Sequence, residues 1–123
     1  MNNKEIYKIN DIITMRYYAV PQALFENPLY TNLSVEAKLL YSFLLDRLTL
    51  SQQHHWVNSN NEVYLIFTRE ETMKKLNISK PTTIKAFNQL VNVGLIIEQS
   101  RGLNLSKLIY VCKMKPFDEW YDV

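Results

Sequence analysis

Polar side chains suited to binding a polyanion follow one another along the stretch KLNISKPTTIKAFNQLVNVGLI, residues 75–96: Lys80, Thr82, Thr83, Lys85 and Gln89. At a helix N-terminus, lysine and threonine side chains suit phosphate oxygens, and the unpaired backbone N–H groups add to the attraction. Further along a helix, lysine and glutamine can reach base edges in the major groove of DNA. The pattern favours a DNA-contacting helix, and the alternative is an ordinary amphipathic helix with a solvated face.

Local signals define the helix that carries these residues. Ser79 is a suitable N-cap, Pro81 falls in the first turn, where its missing N–H costs no intrahelical bond, and Gly94 stands where a left-handed residue ends a helix. At about 100° per residue, the apolar residues predict an inward stripe of Ile84, Phe87, Leu90 and Val91. The opposite face is predicted to be small and polar, with Thr82, Lys85, Ala86 and Gln89.

The neighbouring segments complete the order of a winged helix. Thr68 and Glu71 form a capping box that opens a helix over roughly residues 69–76, ending near Asn77, a tight turn before the next helix. A short β-prone run, residues 63–67, precedes the pair, and two more runs around the turn RGLN predict a hairpin. We therefore expect an α+β fold, mainly α: a winged helix-turn-helix with an N-terminal extended arm and a C-terminal hairpin wing.

The predicted wing adds polar residues at or beside its tip: Arg101, Asn104 and Lys107. A basic side chain there can enter the minor groove or touch phosphate, although hairpin turns are commonly polar for other reasons. Lys74 and Lys75, on the first helix of the motif, are equally suited to backbone contact and to a solvated role.

The segment LSVEAKLLYSFLLDRLTLS predicts a long helix capped by Ser34. Its apolar residues predict a broad buried face of Ala37, Leu40, Leu44 and Leu48, widened by Leu39 and Phe43. The residues before it, 1–30, form an arm with at most a short helix around residues 22–25. Residues 7–30 carry more apolar surface than a free tail would keep, so we expect the arm to pack on the core and to contribute to a homodimer.

Length and composition predict one globular, soluble domain, with 123 residues of which 47% are hydrophobic. No apolar run is long enough for a membrane span, and the start MNNKEIYKINDI lacks the apolar part of a signal peptide. The single cysteine, Cys112, excludes an internal disulfide and suits a reducing cytoplasm. With two glycines in all, a glycine-rich phosphate loop is absent.

The net charge of +2 is distributed unevenly. Residues 1–68 carry five Lys and Arg against six Asp and Glu, residues 69–115 carry nine against three, and the tail 116–123 carries three acids and no base. A middle segment of +6 between acidic ends suits a polyanionic partner for one face, and on charge alone an ordinary solvated surface is an equal alternative. It argues against the rival from another class, a winged helix whose outer face docks a protein, because such faces are usually apolar or mixed.

No constellation of residues indicates an enzyme, a cofactor or a metal site. His54 and His55 are adjacent, which points their side chains apart, and no further ligand stands at metal-binding spacing. The eight tyrosines and two tryptophans are expected to lie mostly in the core and at interfaces, since no motif supports stacking on unpaired bases.

The stretch YTNLSVEAKLLYSFLLDRLTLS, residues 30–51, with VYLIFTREE and the helix-turn-helix behind it, resembles the N-terminal domain of the RepA_N family of plasmid replication initiators. The resemblance extends from about Tyr17 to Tyr110. It implies sequence-specific binding of double-stranded DNA at repeated sites in a plasmid origin, usually as a dimer. It also implies a following linker and C-terminal domain that recruits host replication proteins. A transcriptional repressor is the alternative within DNA binding.

Overall fold

The computed structural model describes residues 4–115. In chain order the elements are the helices α1 (Ala23–Glu26), α2 (Val35–Gln53), α3 (Arg69–Leu76) and α4 (Lys80–Asn92) and the strands β1 (Ile96–Gln99) and β2 (Leu108–Val111). This order confirms the predicted fold class, a mainly helical winged helix with a C-terminal hairpin. The predicted acidic tail, residues 116–123, lies outside the described residues. Within those residues, no helix has the length and apolar character needed to cross a membrane.

Helix α2 lies at the centre of the domain. The Ser34 hydroxyl caps it as predicted, accepting a hydrogen bond from the Ala37 N–H at 3.1 Å. Ala37, Leu40 and Leu44 are fully buried. Of the two residues predicted to widen this face, Phe43 is partly buried and packs against the core, whereas Leu39 is 38% exposed and its assignment is wrong. The face widens on the other side, where Tyr41 is buried and its hydroxyl donates to the Cys112 carbonyl beside the hairpin at 3.0 Å.

The two helices of the helix-turn-helix begin and end where the sequence predicts. Thr68 and Glu71 form the reciprocal capping box of α3, and Asn77 ends that helix in a left-handed conformation with φ 52°. Ser79 then caps α4 by accepting from the Thr82 N–H at 3.4 Å. Gly94 follows the end of α4 with φ 79°, a conformation that favours glycine.

The hairpin forms the wing, and its strands pair antiparallel from Ile96↔Val111 to Gln99↔Leu108. The predicted strand over residues 63–67 is reduced to isolated bridges. Leu65 exchanges two backbone hydrogen bonds with Ile109, at 2.9 and 2.8 Å, and Val63 bridges to Val57. The pairing cannot continue because Thr68, directly after Phe67, already caps α3.

Asparagine residues shape the polar turn between the bridged residues Val57 and Val63. The Asn58 side chain accepts from the Asn60 and Glu62 N–H groups at 2.9 and 3.0 Å. Asn61 adopts a left-handed conformation with φ 61°. Asparagine suits this position because its short polar side chain tolerates this region of backbone space.

The arm divides into two parts. Its second part packs on the core: Leu24 is fully buried, and the Tyr30 hydroxyl accepts from the Lys115 N–H at 3.1 Å. The first part does not, since Ile9 is 98% and Ile12 83% exposed. The expectation that the arm packs on its own domain is therefore wrong for most of residues 4–20, which are exposed, although the Tyr18 ring stacks on Phe43 of α2 with ring centroids 4.3 Å apart. Leu24 and Tyr30 already close this side of the core, which leaves the earlier apolar residues uncovered.

Candidate nucleic-acid interface

Helix α4 is rotated relative to the prediction. Its buried residues are Thr83, Ala86, Phe87 and Leu90. Ile84 and Val91, predicted to point inward, are each 40% exposed, and Ala86, predicted to point outward, is fully buried. The buried set has the spacing i, i+3, i+4, i+7 of a helix face that packs on a neighbour, here α2. A small alanine in the middle of this face lets the two helices approach closely.

Two predicted DNA-contacting residues serve the protein's own structure instead. Thr83 is fully buried and its hydroxyl donates to the Ser79 carbonyl at 2.9 Å, so its side chain has no surface to offer a ligand. The Gln89 side-chain oxygen accepts from the Ser34 N–H at 2.9 Å and so holds the N-terminus of α2. The structure therefore corrects the assignment of Thr83, and it gives the half-buried Gln89 a structural role in joining α4 to the N-terminus of α2.

Lys80 and Lys85 are exposed on α4, as the DNA-binding prediction requires. Thr82 is half-buried, and its hydroxyl oxygen accepts from the Ser79 hydroxyl at 2.9 Å, so it reinforces the cap while one edge still faces solvent. The exposed face contains further residues: Pro81, Ile84, Asn88, Val91 and Asn92. The hydrophobic pattern placed Ile84 on the inward stripe, and it therefore did not predict that Ile84 and Asn88, one turn later, lie on the exposed face. The sequence does contain the helical spacing of the observed buried face, which begins at Thr83, but finding it requires counting a threonine as a core residue.

The wing connection brings the three remaining predicted residues together on exposed backbone. Arg101 Nε donates to the Ser106 carbonyl at 2.7 Å, which fixes the base of the connection. Asn104 has φ 65°, so it turns the chain in the left-handed conformation that asparagine tolerates. Lys107 is exposed directly before β2. The wing therefore presents two basic side chains, Arg101 and Lys107, on either side of a turn that contains Asn104.

One arginine ties the wing to the helix-turn-helix. Arg69, the first residue of α3, makes two hydrogen bonds to the Glu98 carboxylate of β1, at 2.6 and 2.9 Å. Its guanidinium also lies over the Phe87 ring of α4, 3.9 Å from the ring centroid. Because Arg69 and Glu98 neutralise each other, the net positive charge of residues 69–115 comes from the exposed lysines and Arg101.

Tyr41, buried on α2, and Cys112, half-buried directly after β2, have raised pKa values. Burial, with smaller contributions from Tyr30 and Cys112, raises the pKa of Tyr41 to about 12, so the phenol keeps its proton and donates to the Cys112 carbonyl. Burial also raises the pKa of the Cys112 thiol. In the part of the chain that the structure describes, no group of three or more His, Cys, Asp and Glu residues is arranged to hold a metal. His54 stacks on Trp56, with ring centroids 5.5 Å apart.

A capped helix with an exposed lysine-bearing face, set beside a basic hairpin, defines a winged helix-turn-helix domain. The chain belongs to the family described as Replication initiator protein A (RepA) N-terminus, whose model matches residues 16–120. The family predicted from the sequence is thus confirmed.

Two solved structures and one curated protein are similar to this chain. A structure titled "N-Terminal domain of DNA binding protein" is 32% identical with a TM-score of 0.74, over 92% of each chain. One titled "Structure of Rep-DNA complex" is 33% identical, with a TM-score of 0.73 over 88% of this chain and 89% of that one. A "41 kDa protein" of Lactobacillus helveticus is 23% identical over 80% of this chain, which spans 28% of that protein's length.

Proposed function

We propose that this domain binds double-stranded DNA sequence-specifically, at repeated sites in a plasmid replication origin, and so takes part in initiating plasmid replication. The observation that carries the proposal is the placement of Lys80 and Lys85 on the exposed face of a capped, anchored α4. The family membership supports the same role, as does the likeness to a structure titled as a Rep–DNA complex.

The geometry favours a division of labour between the helix and the wing. Helix α4 packs on α2, and Arg69 contacts both the Phe87 ring of α4 and the Glu98 carboxylate of β1, so helix and wing are linked through this side chain. Helix α4 enters the major groove, and Arg101 and Lys107 of the wing meet the neighbouring backbone or minor groove. The domain acts by positioning proteins on duplex DNA and has no catalytic role of its own. Repression of its own gene would use the same surface.

The proposal includes a homodimer and further partners. Exposed apolar residues of the arm, such as Ile9 and Ile12, offer a second copy a surface that the domain's own core leaves uncovered. Two linked domains would gain affinity for repeated sites through effective concentration. Since this chain spans 28% of the curated relative's length, contacts with host replication proteins are assigned to a further part of a longer protein.

The test is the salt dependence of binding to an origin duplex and to a random duplex of equal length. Each phosphate neutralised contributes about 0.9 to the log–log slope, so Lys80→Ala and Lys85→Ala should each lower the slope by roughly one. Lys107→Ala should weaken binding to both duplexes alike if it meets phosphate only. Lys8→Ala, an exposed lysine outside the helix-turn-helix and the wing, is the matched control and should leave the slope unchanged. Binding without any salt slope would refute the DNA-binding proposal and favour a protein partner.

A further inference from the structure

Ile84 and Asn88 lie at the centre of the exposed face of α4. Ile84 is 40% exposed, and Asn88, one helical turn later, is also exposed. In the described residues, no hydrogen bond involves the Asn88 side chain, whereas neighbouring Thr82, Thr83 and Gln89 all bond within the protein. An unengaged amide beside an exposed isoleucine is therefore available to a ligand.

These two side chains have the chemistry that distinguishes A·T pairs in the major groove. The asparagine amide carries a donor and an acceptor that match N7 and the N6 amino group of adenine, in a two-bond arrangement. The isoleucine offers apolar surface, which suits the C5 methyl group of thymine. One helical turn rises about 5.4 Å and base pairs stack about 3.4 Å apart, so residues one turn apart reach pairs one or two steps apart.

We propose that α4 reads A·T pairs: Asn88 bonds to an adenine, and Ile84 packs against a thymine methyl group one or two base pairs away. Lys80 and Lys85, on the flanks of the same face, hold the phosphates on either side. This inference rests on the proposed function, because it requires α4 to enter the major groove. It adds the class of sequence that is recognised and the two residues that recognise it.

The position of the residues along the helix supports this assignment. Base contacts of helix-turn-helix proteins come from the N-terminal part of the second helix. Ile84 is the fifth of the 13 residues of α4 and lies in its N-terminal half, and Asn88 follows one turn later, whereas the exposed Val91 and Asn92 are the last two residues of the helix. The chain thus supplies a matched control for each residue: Asn92 for Asn88, and Val91 for Ile84.

The first experiment selects binding sites from a library of random duplexes. The wild-type domain should enrich a motif that contains at least one fixed A·T pair. Asn88→Ala should relax the preference at one adenine by roughly 5- to 100-fold, whereas Asn92→Ala should enrich the wild-type motif. A motif that Asn88→Ala leaves intact would overturn the role of Asn88 while DNA binding stands. Enrichment of no motif by the wild-type domain would overturn the proposed function together with this inference.

The second experiment replaces single thymines of the selected site by deoxyuridine, which removes the C5 methyl group and leaves pairing unchanged. At one position the wild-type domain should lose about threefold to fivefold in affinity, the equivalent of one buried methyl group. Ile84→Ala should bind the thymine and deoxyuridine duplexes equally, and Val91→Ala should retain the wild-type difference. If Ile84→Ala remains as sensitive to the methyl group as the wild-type domain, the contact is wrong. Thermal unfolding followed by circular dichroism checks that each exposed substitution leaves the fold intact.

Discussion

The pair formed by Arg69 and Glu98 offers a sharp test of how the wing is held. Glu98→Gln keeps the shape of the side chain but removes its charge and turns one acceptor into a donor facing the guanidinium. The two hydrogen bonds that this substitution breaks or weakens measure 2.6 and 2.9 Å. Together they form the salt bridge between Arg69 of α3 and Glu98 of β1. We expect the free energy of unfolding to fall.

The magnitude follows from how far each partner is exposed. Hydrogen bonds to charged groups contribute roughly 1.5–3 kcal/mol, and breaking a fully buried ion pair costs about 3–5 kcal/mol. The side chain of Glu98 is 10% exposed but that of Arg69 is 27% exposed, so the unpaired guanidinium can still reach water. Its contact with the Phe87 ring also remains. The free energy of unfolding should therefore fall by about 2 kcal/mol, within the lower of these two ranges.

Urea unfolding followed by circular dichroism measures this loss, and a second ion pair supplies the control. Arg47 and Glu71 are joined by one contact of 3.0 Å, and their side chains are 35% and 41% exposed. Arg47→Gln also removes the guanidinium that lies over the Phe67 ring, 5.0 Å from the ring centroid, and should cost about 1 kcal/mol in all, since partly exposed ion pairs and cation–π contacts each contribute little. A loss for Glu98→Gln no larger than that for Arg47→Gln would refute the reasoning, because burial would then not decide the strength of either pair.

Two further predictions concern Tyr41 and the arm. Since folding raises the pKa of Tyr41 from 10.0 to about 12, the unfolded phenol ionises first, and the stability present below pH 10 falls as pH rises from 10 to 12. That fall, about 3 kcal/mol at most for two pKa units, should be absent from Tyr41→Phe in urea unfolding at increasing pH, and an equal fall in both proteins would contradict it. Removing residues 1–20, which spares the buried Leu24, should convert a dimer to a monomer in light scattering. Equal masses before and after truncation would exclude an arm-mediated dimer.

The boundaries of the helices were predictable because the signals that set them are local. Ser34, Thr68 and Ser79 each cap a helix from within three residues, so the sequence contains both partners of the hydrogen bond side by side. Asn77 and Gly94 end helices through their own backbone preference. The hairpin follows from the same kind of information, a turn between two β-prone runs.

Contacts between distant segments were not predictable in the same way. Gln89 looked like a free polar side chain, and only the packed structure brings its oxygen to the Ser34 N–H, 55 positions away in the chain. The arm was misjudged for a related reason: apolar composition indicates that a segment will be covered, but not by what. Leu24 and Tyr30 complete the core, and nothing in the sequence marks Val20 as the last residue before it.

The rotation of α4 decides which residues meet DNA, and its cause is a threonine. Ranking residues by hydrophobicity places Ile84 inside and Thr83 outside, but burial of a threonine costs little when its hydroxyl is satisfied. Here the hydroxyl donates to the Ser79 carbonyl one turn earlier, and Thr83 becomes a core residue. Turning Thr83 inward turns Ile84 outward, and it moves Asn88 to the centre of the exposed face. The surface proposed to recognise DNA therefore depends on one intrahelical hydrogen bond, and a sequence that replaced Thr83 by a larger apolar residue would have to repack α4 against α2 to keep it.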